Sequence, residues 1–251
     1  MKKIIEVKNL YISYNNINIL KDISFEVYSN DILCIIGPNG CGKTSLLNAL
    51  CNFVDFKGDI FINNQKNYNE LYKKIAMMSQ LYNIYFGYSV YDTVMMGRYL
   101  NFKDRLLSLP NKEDKDFVLS CLEKLKILYL KDKPITEISG GELQRVFLAR
   151  IFAKEPDIII LDEPTNHLDL NIQLDLINDL KNWVLENENR CIVAVLHDLN
   201  GALYFANKIL ILKDSSLYYY GLVKDFDVSL IDKLYNSNIS KYMHDSLNMW
   251  K

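Results

Sequence analysis

Gly37-Pro38-Asn39-Gly40-Cys41-Gly42-Lys43-Thr44 fits the pattern GxxxxGK(S/T), and its flanks decide the fold. The run before it, Ile32-Leu33-Cys34-Ile35-Ile36, is continuously apolar, as expected of a parallel strand buried on both faces. The stretch after it, Thr44 to Leu50, reads as a helix. A glycine-rich loop between such a strand and helix is built for nucleotide phosphates. Its glycines let backbone N–H groups turn inward, and the helix N-terminus adds the positive end of its dipole. Lys43 would neutralise the β- and γ-phosphates, and the Thr44 hydroxyl would bind Mg²⁺. Cys41 is expected to contribute its backbone alone. By itself the loop says no more than nucleotide phosphates, because kinases, GTPases and motor ATPases share it.

Two further apolar runs lie far downstream. Ile158-Ile159-Ile160-Leu161 ends at Asp162, and Cys191-Ile192-Val193-Ala194-Val195-Leu196 ends at His197. Ligands of open parallel sheets gather outside the carboxyl ends of the strands, so Gly37, Asp162 and His197 are expected to converge on one crevice. Leu161-Asp162-Glu163-Pro164-Thr165 also sets two carboxylates side by side. Asp162 would hold Mg²⁺ through water, and Glu163 would polarise an attacking water as a general base.

The N-terminal residues read as half-buried antiparallel strands, with Ile17 and Ile19, then Ile23, Phe25 and Val27, alternating with polar residues. From about Phe86 to Phe152 helix formers dominate, and between Lys115 and Leu125 the residues Phe117, Cys121, Leu122 and Leu125 share one face. The expected organisation is one domain over 1–251. Its α/β core comprises 1–85 and 153–214, a helical subdomain occupies 86–152, and a hairpin strand (Tyr218 to Tyr220) with a tail fills 215–251. A chain of 251 residues suits one such domain, and 49% hydrophobic with 24% charged residues supplies a core without disordered bias. A net charge of −2 argues against a nucleic-acid partner held by bulk charge. The five cysteines include no CxxC pair and read as reduced thiols. Met1 to Glu6 begins like a signal peptide, but Glu6 and Lys8 interrupt it, and no apolar run approaches the roughly 18–20 residues a membrane span needs. A soluble chain is expected, reaching any membrane only through a partner.

Ile138-Ser139-Gly140-Gly141-Glu142-Leu143-Gln144-Arg145 narrows the class, because it resembles the signature sequence of the ABC ATPases. Tyr14, Gln80 in Met77-Met78-Ser79-Gln80, the segment Asn166-His167-Leu168-Asp169, and His197 in Val195-Leu196-His197-Asp198 match further motifs of that family, in order, over nearly the whole chain. The resemblance implies a P-loop NTPase fold of α/β class: a mainly parallel sheet, an N-terminal antiparallel β-subdomain and an inserted helical subdomain. It implies ATP on Gly37, Pro38, Asn39, Gly40, Cys41, Gly42, Lys43, Thr44 and Ser45, with adenine stacked on Tyr14. Mg²⁺ would be held by Thr44, Gln80 and Asp162. Two copies would pack head to tail, so that Ser139, Gly140, Gly141 and Glu142 of one meet the ATP held by the other. Lys43, Gln80, Glu163 and His197 would form the catalytic set. In that set His197 would hydrogen-bond the γ-phosphate and orient the water, and Gln80 would relay the state of the site. Asp169 would join the dimer contacts.

This signature departs from the family's commonest form by carrying Ile138 for Leu and Glu142 for Gln. Glu142 places negative charge near a triphosphate. The S-x-x-E spacing with Ser139 is that of a capping box, so Glu142 is expected to reach back to the Ser139 amide, with Arg145 offsetting its charge.

Asp92-Thr93-Val94 with Met96-Gly97-Arg98, Pro164 to Asp169, Leu196 to Asn200, and the tail segment Leu230 to Tyr235 are similar to importers of iron–siderophore, haem and cobalamin complexes. Importers of molybdate or other metals share the build. Such a subunit would work at the cytoplasmic face of the cell membrane. It would be joined to two polytopic permease subunits through the Gln80–Arg98 region, and only indirectly to an extracytoplasmic substrate-binding protein. Two rivals are ribosome-associated ABC proteins, which carry paired ATPase domains and a basic linker, and a scaffold of iron–sulfur assembly, which needs no permease. One loop, one signature and no basic run weigh against the first.

Overall fold

The computed structural model describes residues 1–15, 17–66, 73–79, 87–102, 109–166 and 168–248. Strands β1 (Lys3–Tyr14), β2 (Ile17–Tyr28) and β3 (Ile32–Ile36) lead into helix α1 (Lys43–Leu50), then β4 (Lys57–Ile62) and β5 (Ile75–Met78). Helices α2 (Val90–Met95), α3 (Tyr99–Phe102), α4 (Lys112–Lys124) and α5 (Gly140–Ala153) follow. The chain then alternates through β6 (Ile158–Asp162), α6 (Leu170–Leu185), β7 (Cys191–Val195), α7 (Leu199–Phe205) and β8 (Lys208–Lys213). It ends with β9 (Ser216–Leu222), α8 (Ser229–Tyr235) and α9 (Ile239–Asn248).

Two sheets carry the architecture. One is antiparallel, in the order β2-β1-β4; the other runs β5-β6-β7-β3-β8-β9, parallel except for its antiparallel edge β9. The continuous apolar runs are explained by a second core on the far face of this larger sheet. Leu33, Ile35, Ile158, Ile160, Val193 and Val195 point into a core shared with α1 and the antiparallel sheet. Their neighbours Cys34, Ile36, Ile159, Leu161, Ile192 and Ala194 point the other way, into a core with α4, α5, α6, α7 and α8. Burying each large aliphatic side chain contributes roughly 1.5–3 kcal/mol, which polar alternation on either face would forfeit. Among the described residues no helix is long and apolar enough to cross a membrane.

The β1–β2 ladder departs from simple alternation. Ile23, Phe25 and Val27 are buried as expected, but Ile17 is 65% exposed, and Leu20, paired with Ile12, fills the core where Ile19 was expected. The register slips because Asn9 and Asp22 adopt left-handed backbone conformations, with φ of 47° and 54°. The Asn9 side-chain amide donates to Asp22 Oδ1 at 2.8 Å across that irregularity. A one-residue slip moves every later side chain to the opposite face.

In the helical part, the Met96–Arg98 turn is pinned by Arg98, which is only 6% exposed. Its guanidinium donates to Asp114 Oδ1 at 3.2 and 3.3 Å, to the Ala153 carbonyl at 3.3 Å and to Glu155, and lies 4.7 Å from the Phe117 ring centroid. Asp114 is fully buried and does two jobs. Its Oδ2 accepts from the Asn111 amide in the capping box that starts α4, which leaves Oδ1 for Arg98. Removing one partner of such a pair strands a buried charge. Arg98→Ala should therefore lose about 3–5 kcal/mol of stability, read as a lower urea midpoint, and Arg98→Met with Asp114→Asn should recover most of it.

Candidate functional site

Parallel register brings three strand ends to one edge. Asp162 pairs with Val195, and Val195 pairs with Ile35, so the last residue of β6 lies level with the strand that feeds the phosphate loop. The loop itself is folded tightly against β8 and β2. At Gly37 (φ 152°) a Cβ would come within 2.4 Å of the Leu212 carbonyl oxygen. At Gly42 (φ 100°) it would lie 2.6 Å from Leu20 Cδ2. Only glycine satisfies both the backbone angle and the space.

Gly42 is also the N-cap of α1, and it offers no side-chain cap to the first-turn amides of Lys43, Thr44 and Ser45. Such a helix start favours an anionic ligand. Asn39 and Gly40 are exposed at the tip, Pro38 is half-buried, and Lys43 is 7% exposed, with Nζ donating to the carbonyls of Gly37 (2.9 Å) and Pro38 (3.0 Å). The loop thus holds its own cation across its mouth. Cys41 faces inward, and burial pushes its thiol pKa up, so it presents backbone and not a reactive sulfur.

Three residues hold the adjoining carboxylates. Thr44 Oγ1 donates to Asp162 Oδ1 at 3.4 Å, tying the start of α1 to the end of β6. Burial, and then the charge of Glu163, push the Asp162 pKa up, while the Thr44 bond and the charges of Lys43 and His197 oppose the shift. A threonine hydroxyl and a carboxylate this close form a hard-oxygen donor pair that fits Mg²⁺. Glu163 adopts φ 54°, a left-handed conformation unfavourable for its residue type, and its amide donates to the Val195 carbonyl at 3.0 Å. That turn points its carboxylate between two partners. Asn166 Nδ2 donates to Oε2 at 2.6 Å, and His197 Nε2 contacts Oε1. Glu163 is the more enclosed of the acid–imidazole pair, with 11% of its side chain exposed against 43% for His197.

The signature residues form a separate cluster at the start of α5. Ser139 is the N-cap, and the capping box is complete: the Glu142 amide donates to Ser139 Oγ at 3.3 Å, and the Ser139 amide donates to Glu142 Oε2 at 2.8 Å. Hydrogen bonds from Ser139 and from Tyr129 hold the Glu142 carboxyl below its usual range. The expected offset by Arg145 does not occur. Arg145 turns away to Asp175 Oδ2 at 2.5 Å and the Leu125 carbonyl at 3.2 Å, and the Tyr129 hydroxyl donates to Glu142 Oε1 at 2.8 Å in its place. Gly140 is exposed, and Gly141 packs on Ile172 of α6, whose N-cap Asp169 is exposed. Gln144 Nε2 donates to the Pro164 carbonyl at 2.6 Å, joining the signature helix to the turn that carries Glu163.

The structure thus gathers Gly37 to Ser45 with Asp162, Glu163 and His197, and leaves Ser139 to Glu142 apart from them. Tyr14 ends β1 beside Asn52, Phe53 and Asp55 at a cleft of about 390 Å³, beyond the Leu20 contact with the loop. Gln80 and His167 lie outside the described residues. Sequence reasoning gave no role to Asn166, Gln144 or Tyr129. The first stands three residues after Glu163, a spacing that could have suggested a turn contact, whereas Tyr129 left no local signal.

The model of the ABC transporter family matches residues 20–166. A petrobactin import ATP-binding protein of Bacillus subtilis is 30% identical over 241 residues, covering 94% of both chains. A molybdate import ATP-binding protein of Haemophilus influenzae is 33% identical over 214 residues, covering 84% of this chain and 80% of that one. Among solved structures, an inward-facing putative metal-chelate type ABC transporter superposes with a TM-score of 0.82 at 29% identity, over 94% of this chain and 90% of its own. A dimeric ATP-binding cassette in a post-hydrolysis state with ADP and Pi gives 0.77 at 27% identity, over 88% of this chain and 100% of its own. The chain, with its phosphate loop, paired carboxylates and capped signature helix, belongs to the ABC transporter family as one of its ATP-hydrolysing cassettes.

Proposed function

We propose that this chain hydrolyses ATP as a head-to-tail pair of copies and so powers a separate permease that imports a metal chelate. The observation that carries the catalytic part is the clamp on Glu163, held between Asn166 and His197 beside the Thr44–Asp162 pair. A carboxylate fixed at both oxygens is oriented before any water arrives, which is what a general base requires. In this reading the amides from Gly40 to Ser45 bind the phosphates, and Lys43 shifts from the Gly37 and Pro38 carbonyls to the β- and γ-phosphate oxygens. Glu163, already oriented, takes the proton of the attacking water, and His197 turns from Glu163 to hydrogen-bond the γ-phosphate and keep that water in line. Thr44 and Asp162 would hold Mg²⁺, with Gln80 joining them, and the ion would neutralise phosphate charge. Tyr14 stacks on adenine.

The second half of each site comes from the partner copy. Ser139 and the amides of Gly140 and Gly141 meet the γ-phosphate across the interface, and Asp169 contributes to the contact. The exposure of Ser139, Gly140 and Asp169 supports this, as does the solved dimeric cassette. Residues 86–152 then act as the inserted helical subdomain. For the permease, support comes from a groove of about 300 Å³ lined by Met77, Met96, Tyr99, Phe147, Arg150 and Lys154, which takes in the Met96–Arg98 turn. Met96 and Tyr99 are 40% and 52% exposed there. The location that follows is the cytoplasmic membrane face, with an extracytoplasmic binding protein beyond the permease. A metal chelate such as an iron–siderophore, haem or cobalamin complex is favoured as cargo by the metal-chelate type neighbour; the molybdate relative supports an oxyanion as the competing cargo. Transport assays with labelled chelates and labelled molybdate, in vesicles holding the permease, decide between them.

Glu163→Gln should bind ATP, lose about two to four orders of magnitude in turnover and accumulate as a nucleotide-bound dimer in size-exclusion chromatography. Turnover at the wild-type rate overturns the base assignment. Lys43→Ala should abolish ATP binding or turnover in a filter-binding and phosphate-release assay. Asp162→Asn should abolish hydrolysis yet raise the thermal midpoint of the chelator-treated protein at pH 7. The sign follows from the raised Asp162 pKa: its charged form penalises the fold above that pKa, and the penalty fades as pH falls through it. The advantage of the asparagine variant should therefore shrink in acid.

A further inference from the structure

We propose that Tyr129 is a positioning residue for the trans half of the ATP site, acting through Glu142 to free the Ser139 hydroxyl for phosphate. The inference rests on the proposed role of Ser139 at the partner's nucleotide. As the chain is folded, the Ser139 hydroxyl is already committed: it donates to Glu142 Oε2 at 2.7 Å, and the Ser139 amide donates to the same oxygen at 2.8 Å. A hydroxyl has one proton, so Ser139 cannot give it both to Glu142 and to a phosphate oxygen. Turning the hydroxyl toward phosphate takes a donor from a carboxylate that stays ionised.

Tyr129 sets how much that costs. Its hydroxyl donates to Oε1, the other oxygen of Glu142, at 2.8 Å. With Tyr129 in place, Glu142 still has two donors after the serine turns away; without it, the Ser139 amide would be left alone. The same bond draws the carboxylate toward Tyr129. Tyr129 is 70% exposed, yet its backbone lies in a short 3-10 turn, Leu128–Leu130, anchored by Ile127 and Leu130, each 1% exposed. Arg145 ties the Leu125 carbonyl just before that turn to α5 at 3.2 Å. An aromatic ring with a fixed backbone and a single hydrogen bond is placed to hold one atom.

Tyr129→Phe should raise the KM for ATP about three- to tenfold with kcat within about twofold, as the loss of one charge-assisted hydrogen bond from the binding step predicts. Its thermal midpoint should stay at the wild-type value. In a Glu142→Gln background the same substitution should change KM little, because a neutral amide oxygen holds the serine proton less tightly than a carboxylate and needs no second donor to release it. A lowered thermal midpoint with unchanged KM and kcat assigns Tyr129 to stability and overturns the proposal. An equal KM rise in the Glu142→Gln background overturns it as well. Ser139→Ala separates the two levels. If its KM is unchanged, the trans role of Ser139 fails and takes the proposal with it; if Ser139→Ala is impaired and Tyr129→Phe is silent, only the role of Tyr129 falls.

Discussion

The alignment of β6, β7 and β3 is the constraint from which the site is built. Hydrogen-bonded parallel strands permit only certain offsets, and this one sets Asp162, Val195 and Ile35 in a row across the sheet. Because the row is level, α1 can start close enough for Thr44 to reach Asp162, and the Glu163 amide can bond the Val195 carbonyl. The left-handed φ of Glu163 is tolerated because the strand pairing on one side and Asn166 on the other leave that residue no alternative. A slip of one residue in either pairing would separate hydroxyl from carboxylate by about 3 Å and dissolve the arrangement. The two cores flanking the sheet, which bury every residue of these strands, resist such a slip.

Two helix starts do opposite things in the same molecule. At α1 the N-cap is a glycine without a side chain, so the positive end of the helix is left for whatever anion the loop binds. At α5 the N-cap is a serine whose amide and hydroxyl are both taken by a carboxylate of its own first turn. The first end is ready for an anion, and the second is internally neutralised until something displaces a hydrogen bond. Closure of a pair around nucleotide would therefore work against a local interaction on the signature side and with the local field on the loop side.

Much of this was legible in the chain, for a physical reason. Strands buried on both faces leave continuous apolar runs, and the runs ending at Gly37, Asp162 and His197 mark three of the central strands with their chemical termini. The S-x-x-E capping box was equally legible, because it closes within one turn of one helix. Illegible features depended on distant or atypical geometry. The left-handed kinks at Asn9 and Asp22 shifted the β2 ladder so that Leu20 replaced Ile19 in the core. Arg145 passed over the acid three residues away for Asp175, thirty positions on, because α5 packs beside α6. Tyr129 meets Glu142 only once α4 and α5 are folded together. Helical spacing rules describe an isolated helix; here tertiary packing chose the partners.

The 2.6 Å bond from Gln144 to the Pro164 carbonyl links the signature helix directly to the turn that carries Glu163. Under the proposed function one end of this link serves the nucleotide a copy holds itself, and the other the nucleotide of its neighbour. In the proposed pair the two links form a closed ring of four contacts. A displacement at any one of them returns to its origin through the other three. In that proposed pair the two hydrolytic events would be linked in time, the waiting time for the second depending on the first.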